Sequence, residues 1–296
     1  MNDILKKILK KEPIIEYITT GDAKLDKKIL GYQKGELITI ASRPGFGKTS
    51  LALKSVIANI KKGKKVYYLT CGESSETIIA KIIAQMLNIR INDLLLGTYT
   101  DVDEFEMQNT IEIICEYLIL EECSSIDIKW FDNIYINMFH SDLTVIDNIN
   151  YSDIFDNMDT FRKLKEFAYD WKQPIIILTS IDINVEKRLD KRPRLLDITN
   201  AKYISEYSDK IIVIYSDDFY KEKLEAQKEN ILRIKGEDYK STFINKPIIE
   251  KEIIVLRNIF GQNGKLRVKF NQSIGGFLDK EEEEINYGDI EIPDIL

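Results

Sequence analysis

The chain has 296 residues, 44% of them hydrophobic and 31% charged, which is enough for one large hydrophobic core. Residues 279–296 hold eight of the 49 acids and one of the 42 bases, so residues 1–278 carry 41 charges of each sign. The net charge of −7 therefore resides in the C-terminal segment and does not exclude a nucleic acid as partner. No apolar run approaches the roughly 18 residues of a membrane span, so no membrane partner is expected.

Histidine and cysteine usage excludes several kinds of site. The single histidine, His140, excludes H-E-x-x-H metalloproteases and Cys/His zinc sites, and it disfavours a Ser-His-Asp triad. The three cysteines, Cys71, Cys115 and Cys123, form neither a disulfide framework nor a C-x-x-C pair. A reducing compartment fits this usage, so we expect a cytoplasmic protein.

Predicted helices and strands alternate along the chain. Apolar spacing predicts an amphipathic helix over residues 3–10 and further helices over 53–60, 78–86 and 164–171, and residues 98–140 are expected to be mostly helical. Short runs rich in β-branched residues predict buried strands, namely ELITIA (36–41), VYYLT (66–70), LTVID (143–147), PIIILT (174–179) and KIIVIY (210–215).

The last predicted elements are the strands EIIVLRN (252–258) and KLRVKF (265–270), which flank GQNG (261–264) and so indicate a hairpin. Alternating strands and helices are typical of α/β proteins with a parallel sheet. The sequence therefore predicts one α/β domain, with a mostly parallel sheet flanked by helices and a C-terminal antiparallel hairpin.

The strongest motif is SRPGFGKTS, which lies between a predicted strand and a predicted helix. Its glycines permit backbone N–H groups to converge on phosphate oxygens, and the N-terminus of the following helix adds a positive dipole. Lys48 is expected to neutralise the β- and γ-phosphates, and the Thr49 hydroxyl to bind Mg²⁺. Ser42 occupies the first glycine position of G-x-x-x-x-G-K-[ST]. The predicted phosphate-binding residues are Ser42, Arg43, Pro44, Gly45, Phe46, Gly47, Lys48, Thr49 and Ser50.

Two acids are expected to complete this nucleotide site. Asp147 ends the strand LTVID and is placed to hold Mg²⁺ together with Thr49. Glu73 follows the strand VYYLT and is our candidate for activating the attacking water, with Glu76 close enough to leave the choice open. A structural role for Glu73 also stays open, because the helix dipole favours an acid at a helix N-terminus.

A longer pattern surrounds the phosphate loop. Thr20-Gly21-x₃-Leu25-Asp26-x₄-Gly31-x₃-Gly35, then the loop, then CGESS (71–75), resembles the RecA-like motor domain of DnaB-type replicative helicases. The similarity continues through residues 186–198, 205–218 and 252–270, and so covers about residues 19–279. We accordingly expect a linker helix (1–18), a RecA-like ATPase domain (19–279) and an acidic tail (280–296), without the family's N-terminal domain, which docks primase.

The resemblance implies a RecA-like P-loop NTPase fold with ATP and Mg²⁺ as cofactors. It also implies single-stranded DNA as partner, a homo-oligomeric, hexameric ring, and ATP hydrolysis coupled to translocation in DNA replication. In such a ring Lys48, Glu73 and Asp147 would act within one subunit on the bound nucleotide.

The sequence departs from the family pattern at three functional positions. Ser180 stands where the family has a γ-phosphate-sensing Gln, and Thr199, within DITNAK, takes the place of a DNA-loop Arg. Ile259 replaces the Arg that acts as a finger in the neighbouring subunit. Arg257 lies two residues earlier, and we expect it to share the strand face of residue 259 and to serve as the catalytic cation in trans.

These losses leave alternatives open. A helicase-derived, ATP-binding regulatory or loading protein with weak or no unwinding activity fits the three departures. The motor fits the retention of Lys48, Glu73 and Asp147, because a pure binder has no use for a water-activating glutamate. A recombinase-like ATPase is a third option, since GES (72–74) also resembles that group.

Basic residues around DITNAK (197–202) are expected to line a channel for a nucleic-acid backbone, although interleaved acids fit an ordinary solvated loop equally well. The candidate DNA-binding residues are Arg188, Lys191, Arg192, Arg194 and Lys202. The acidic tail is interpreted as a disordered, solvating segment, with docking of a replication partner or self-inhibition as the alternatives.

Overall fold

The computed structural model describes residues 2–12, 14–100, 102–124, 126, 138, 140–234 and 246–278. The acidic tail predicted at 280–296 and residues 125, 127–137 and 139 lie outside the described residues. The division of the chain at residues 18 and 279 stays a prediction.

The described part of the chain contains eleven strands, several of them short and rich in β-branched residues. They are β1 (Tyr17–Ile18), β2 (Tyr32–Gln33), β3 (Leu37–Ser42), β4 (Val66–Cys71), β5 (Leu118–Cys123), β6 (Leu143–Asp147), β7 (Ile175–Ser180), β8 (Lys210–Tyr215), β9 (Ile248–Asn258), β10 (Gly264–Asn271) and β11 (Gly276–Phe277).

Helices occupy most of the connections between these strands. They are α1 (Asn2–Leu9), α2 (Ala23–Ile29), α3 (Lys48–Ile60), α4 (Ser75–Leu87), α5 (Ile91–Leu96), α6 (Glu104–Tyr117), α7 (Met158–Trp171), α8 (Ala201–Tyr207) and α9 (Asp217–Ile234). None of the helices in the described part of the chain has the length and apolar character needed to span a bilayer.

One large sheet organises the molecule, with the strand order β11-β10-β9-β8-β3-β7-β6-β4-β5. The six strands from β8 to β5 run parallel to their neighbours, whereas β9, β10 and β11 pair antiparallel. Every residue of β3, β4, β6 and β8 is buried, as expected for parallel strands that are covered on both faces. The predicted mostly parallel α/β sheet with antiparallel C-terminal strands is confirmed.

The segment between residues 98 and 140 differs from its prediction. Helix α6 lies there, but the residues that follow form β5, a strand parallel to β4 at the edge of the sheet. The expectation of a mostly helical stretch is therefore wrong for Leu118–Cys123. Strand β5 is only partly buried, and its sequence LILEEC mixes apolar and acidic residues, so no continuous apolar run marks it as a strand.

The order of the parallel strands places the functional loops together. In an open α/β sheet, ligands bind beyond the carboxyl ends of the strands. Strands β3, β7, β6 and β4 are consecutive neighbours, so the segments that follow them share one edge of the sheet. The phosphate loop, Ser180, Asp147 and Glu73 all belong to these segments.

A buried ion pair anchors the other end of β3. Lys210, at the start of β8, is fully buried, and its ammonium pairs with Glu36 and donates a hydrogen bond to Gly31 O at 2.9 Å. Glu36 also accepts a hydrogen bond from the Gln33 N–H at 2.8 Å. The pair thus joins β8 to the turn that leads into β3, the strand that carries the phosphate loop.

We expect Lys210→Met to lower the free energy of unfolding by about 3–5 kcal/mol, because it leaves the Glu36 carboxylate buried without its cation. The double variant Lys210→Met/Glu36→Gln removes both charges and should recover much of that loss. Denaturant unfolding of the three proteins measures both effects. If Lys210→Met is as stable as the wild type, the Lys210–Glu36 pair does not hold β8 and the turn before β3 together.

Candidate active site

The loop between β3 and α3 has the backbone conformation that phosphate binding requires. Gly45 and Gly47 have φ angles of +80° and +99°, which side-chain-bearing residues rarely adopt. Gly47 is the N-cap of α3. The first N–H groups of an α-helix have no partner within the helix, so those at the start of α3 are available to bind a phosphate at the loop. Phe46 is buried, and its ring packs against Phe219 of α9 with ring centroids 4.8 Å apart, so this contact holds the loop against α9.

Asp147, the last residue of β6, contacts the phosphate loop directly. Its Oδ2 accepts a hydrogen bond from Thr49 Oγ1 at 2.7 Å and another from the Tyr68 hydroxyl at 2.8 Å. Asp147 is only 5% exposed. Burial raises the pKa of its carboxyl group, although the hydrogen bonds from Thr49 and Tyr68 and the charge of Lys48 act in the opposite direction.

The donors around Asp147 fit the Mg²⁺ ion predicted from the sequence. Magnesium prefers oxygen ligands and usually binds through one or two protein oxygens, substrate phosphates and waters. The described residues contain no cluster of three or more acidic, histidine or cysteine side chains that could enclose a metal, so phosphate oxygens would have to supply further ligands. Thr49 and Asp147 would hold the ion, which would neutralise charge on the β- and γ-phosphates.

Glu73 follows β4, which lies in the sheet next to β6, the strand that ends at Asp147. Its side chain is 40% exposed and forms an ion pair with Lys81 of α4, while its carbonyl accepts a hydrogen bond from Thr70 Oγ1 at 2.8 Å. The negative charge of Glu73 contributes to raising the pKa of Asp147, so the two carboxylates lie within electrostatic reach of each other. Glu73 therefore lies at the same edge of the sheet as Asp147 and the phosphate loop.

Glu76, the competing candidate, serves a different purpose. It is exposed in the first turn of α4, where its own backbone N–H and the Ser74 hydroxyl lower the pKa of its carboxyl group. Acids at this position stabilise the start of a helix. The geometry therefore favours Glu73 over Glu76 as the water-activating residue.

Ser180 ends β7, between the phosphate-loop strand and the Asp147 strand. Its N–H donates a hydrogen bond to Asn150 Oδ1 at 2.8 Å, and the Thr179 hydroxyl donates to the same oxygen at 3.1 Å. An amide side chain from Asn150 therefore lies beside the position where the family has its glutamine. Tyr68, Lys81 and Asn150 were not predicted. The partners of Tyr68 and Asn150 are distant in sequence, and Lys81 meets Glu73 only through the way α4 follows β4.

Arg43 connects the phosphate loop to the segment that follows β7. Its Nη1 donates a hydrogen bond to Ile181 O at 2.9 Å, and its guanidinium pairs with Glu186 at 3.2 Å. The segment is closed by a bridge between Ile181 and Ile198, and the Thr199 N–H donates to Ser180 O at 3.0 Å. Arg43 therefore joins the phosphate loop to residues 181–199 through side-chain contacts.

Two of the predicted DNA-binding arginines are paired with acids. Arg188 forms a bidentate pair with Asp197, with both distances 2.8 Å. Arg192 forms a bidentate pair with Glu252, again with both distances 2.8 Å. These two guanidinium groups hold the segment together, so they are less available to a phosphate backbone than their sequence positions predict.

The other predicted DNA-binding residues lie differently. Lys191 donates a hydrogen bond to the carbonyl of Arg188 at 3.2 Å and is half-buried. Arg194, Lys202 and the neighbouring Lys187 are exposed. The structure thus separates the predicted basic cluster into cations that stabilise the segment and cations that face solvent.

Arg257 does not lie where the sequence argument expects it. Its guanidinium donates a hydrogen bond to the carbonyl of Ser205 in α8 of the same chain. Strand β9 ends at Asn258, so Ile259 lies beyond the strand and is 46% exposed. The expectation that residues 257 and 259 share one strand face is therefore wrong, while the role of Arg257 in trans stays a prediction.

Comparison with known proteins identifies the family. Residues 17–279 match the family model of the DnaB-like helicase C terminal domain. The chain belongs to this family. The replicative DNA helicase DnaB of Helicobacter pylori is 25% identical over 298 residues, an alignment that covers 88% of this chain and 59% of the relative. The chain therefore spans about three fifths of the length of the curated relatives that it matches.

Solved structures confirm the RecA-like fold. A DnaB-like replicative helicase superposes with a TM-score of 0.74 at 20% identity, covering 94% of this chain and 65% of that chain. The RadB recombinase superposes with a TM-score of 0.54 at 18% identity, covering 88% of this chain and 99% of that one. Recombinases thus share the fold, but the family match places the chain with the DnaB-like helicases.

Asp147→Asn should stabilise the nucleotide-free chain at neutral pH. The pKa of Asp147 is raised on folding, so its stabilising contribution is present below the unfolded pKa and is lost as pH rises through the folded pKa. Removing the buried charge should raise the midpoint of thermal unfolding by about 2–4 °C, the shift that 1 kcal/mol produces in a large domain.

Thermal unfolding as a function of pH checks this expectation. The difference between variant and wild type should shrink at acidic pH, where Asp147 of the wild type is protonated. Added Mg·ATP should stabilise the wild type more than the variant. If Asp147→Asn unfolds at a lower temperature than the wild type at neutral pH, the buried charge of Asp147 does not destabilise the nucleotide-free chain, and the prediction is wrong.

Proposed function

We propose that this chain is the ATP-hydrolysing motor of a DnaB-type replicative helicase, which couples ATP turnover to translocation on single-stranded DNA. One observation carries the proposal. The phosphate loop, through Thr49, contacts Asp147, and Glu73 follows the next strand of the sheet. A phosphate cradle, a metal-binding carboxylate and a second carboxylate for water are thereby combined in one subunit.

Each residue of the site has a separate task in this proposal. The loop N–H groups and Lys48 bind the phosphates of ATP, and Thr49 with Asp147 holds Mg²⁺. Glu73 orients the attacking water and accepts its proton, for which the carboxylate must be ionised. The ion pair with Lys81 holds the side chain beside α4.

The DNA contacts are assigned to the solvent-facing cations of the segment after β7. Lys187, Arg194 and Lys202 are exposed and carry no base-reading pattern, which suits contacts to the phosphate backbone of any sequence. The bond between Arg43 and Glu186 supports coupling between these contacts and the nucleotide. Binding of single-stranded DNA would then alter the phosphate loop.

Assembly into a homo-oligomeric ring is part of the proposal. Helix α1 carries Leu5, Ile8 and Leu9, which are all exposed in the single chain. An unpartnered apolar face of this kind suits packing on a neighbouring subunit. Within the ring Arg257 would have to leave the Ser205 carbonyl to act on the neighbour's nucleotide.

The hydrogen bond from Arg257 to the Ser205 carbonyl also supports the second candidate function. With Ile259 in the finger position and Arg257 engaged in its own subunit, the chain would bind ATP tightly and hydrolyse it slowly. It would then act as an ATP-binding regulatory or loading protein derived from a helicase. Docking of a replication partner on the acidic tail is compatible with either function.

Lys48→Ala should abolish nucleotide binding, whereas Glu73→Gln should keep binding and lower turnover by about 10²–10⁴-fold, the usual contribution of a general base. The difference arises because Lys48 stabilises bound phosphates and Glu73 acts only in the transition state. Titration with a fluorescent ATP analogue and a steady-state ATPase assay measure the two effects. Glu76→Gln is the matched control. Equal losses of ATP turnover in Glu76→Gln and Glu73→Gln would contradict the assignment of Glu73 as the water-activating residue.

Glu186→Gln should weaken the stimulation of ATP turnover by single-stranded DNA roughly 2- to 30-fold, the range of measured couplings along contact networks. The variant removes the charge that holds Arg43, while it leaves every proposed DNA-contacting cation in place. Glu166→Gln is the matched control, because it breaks a surface pair with Arg162 of the same 3.2 Å length. Unchanged stimulation in Glu186→Gln would rule out this route of coupling.

A further inference from the structure

Two cysteines that are far apart in sequence meet beside the active site. Cys71 is the last residue of β4 and Cys123 the last residue of β5, and they are register partners in the parallel pair. Their Sγ atoms lie 2.8 Å apart. Neighbouring strands are about 4.8 Å apart, and disulfides join Cα atoms that are about 4.4–6.8 Å apart. The strand spacing and the contact between the sulfurs are therefore compatible with a disulfide.

The two thiols differ in their surroundings. Cys71 is 2% exposed, whereas Cys123 lies on the edge strand and is only half-buried. Either sulfur can donate the hydrogen bond between them. With Cys71 as the donor, this bond raises the pKa of Cys71 and lowers the pKa of Cys123. An oxidant that arrives from solvent therefore meets Cys123 first, and this sulfur is also the better nucleophile at neutral pH.

The pair is joined to the loop that carries Glu73. Gly72 is the single residue between Cys71 and Glu73, and a Cβ atom at Gly72 would lie 2.6 Å from the Tyr151 ring, so the backbone there has little room. On the β5 side, Glu122 accepts a hydrogen bond from the Ser75 N–H at 2.8 Å. A covalent bond between the strand ends would fix both sides of the Glu73 loop.

We propose that Cys71 and Cys123 form a reversible disulfide, with a peroxide as oxidant, and that this bond slows ATP hydrolysis by constraining Glu73. The second half of the proposal rests on the proposed function. The Cys123 thiolate attacks one oxygen of hydrogen peroxide, which breaks the O–O bond, releases water after protonation and leaves a sulfenic acid. Cys71 then loses its proton and attacks that sulfur, expelling a second water as the S–S bond forms. The two sulfurs lose two electrons and the peroxide gains them.

The effect on turnover follows from the size of the movement. The Sγ atoms must approach from 2.8 Å to the bond length of about 2.05 Å. Cys71 is two residues from Glu73, so part of this movement is expected to reach the Glu73 backbone. A misplacement of about 1 Å at reacting groups costs on the order of 10²-fold in rate, and the smaller movement here should cost about tenfold. Lys48 and Thr49 lie across β7 and β6 from the pair, so ATP binding should not change.

Bond formation is tested first, on the full chain carrying Cys115→Ser. This substitution removes the exposed cysteine on α6, which could otherwise link two molecules. After treatment with hydrogen peroxide, peptide mapping without reductant should find Cys71 and Cys123 in one linked pair, and dithiothreitol should release it. Cys115→Ser/Cys123→Ser should yield no linked peptide. Recovery of Cys71 and Cys123 as unlinked thiols, or as separately oxidised residues, would overturn the proposal.

The consequence is tested on the same samples. Oxidised Cys115→Ser should turn over ATP about tenfold more slowly than the reduced protein, with unchanged affinity for a fluorescent ATP analogue and full recovery in dithiothreitol. Cys115→Ser/Cys123→Ser should keep its rate after peroxide. If every molecule carries the disulfide and the rate of ATP turnover is unchanged, the bond does not slow hydrolysis by constraining Glu73, and that half of the proposal is overturned. Absence of turnover in the reduced protein would instead defeat the proposed function, while the mapping would still decide whether the disulfide forms.

Discussion

The hydrogen bond between the Thr49 hydroxyl and the Asp147 carboxylate joins the phosphate loop to a strand 98 residues further along the chain. It exists because β3, β7 and β6 are parallel neighbours in register, with Leu37 opposite Ile175 and Thr144 opposite the same residue. Parallel strands of similar length that begin at the same edge of a sheet also end at the same edge. The loop after β3 and the acid at the end of β6 therefore lie together at the carboxyl-end edge of the sheet. The burial that raises the pKa of Asp147 is a consequence of this central position in the sheet.

Two routes lead away from that contact. On one side, Arg43 connects the phosphate loop to Glu186 and so to the exposed cations of the segment after β7. On the other side, the neighbouring strand β4 carries Glu73 and ends at Cys71, which contacts the edge strand β5. The proposed nucleotide site therefore lies between the segment to which DNA contacts are assigned and a pair of thiols.

Most of the fold could be predicted from local patterns, because buried parallel strands appear in the sequence as short apolar, β-branched runs. One of the strands that were not predicted, β5, lies at the edge of the large sheet, where acidic residues are tolerated. The phosphate loop was predictable for a related reason. Gly45 and Gly47 meet a local backbone requirement, and the strand before them and the helix after them are both visible in the sequence.

The partners of the functional residues were not predictable. Tyr68 reaches Asp147 and Lys81 reaches Glu73 only because the sheet and α4 bring them together. Arg188 was predicted as a DNA contact from its charge, but the carboxylate of Asp197 neutralises it across a turn. Composition shows how many charges a segment has. Only the tertiary structure shows which of them are paired.

The most direct test of the motor is ATP turnover in Mg²⁺ as single-stranded DNA is added, measured on fractions of the purified chain separated by size. The account predicts that the fraction of ring size hydrolyses ATP faster as DNA is added, and that smaller species respond less. Tight ATP binding in an assembled ring whose turnover stays flat over the whole DNA titration would contradict the motor and support the regulatory alternative.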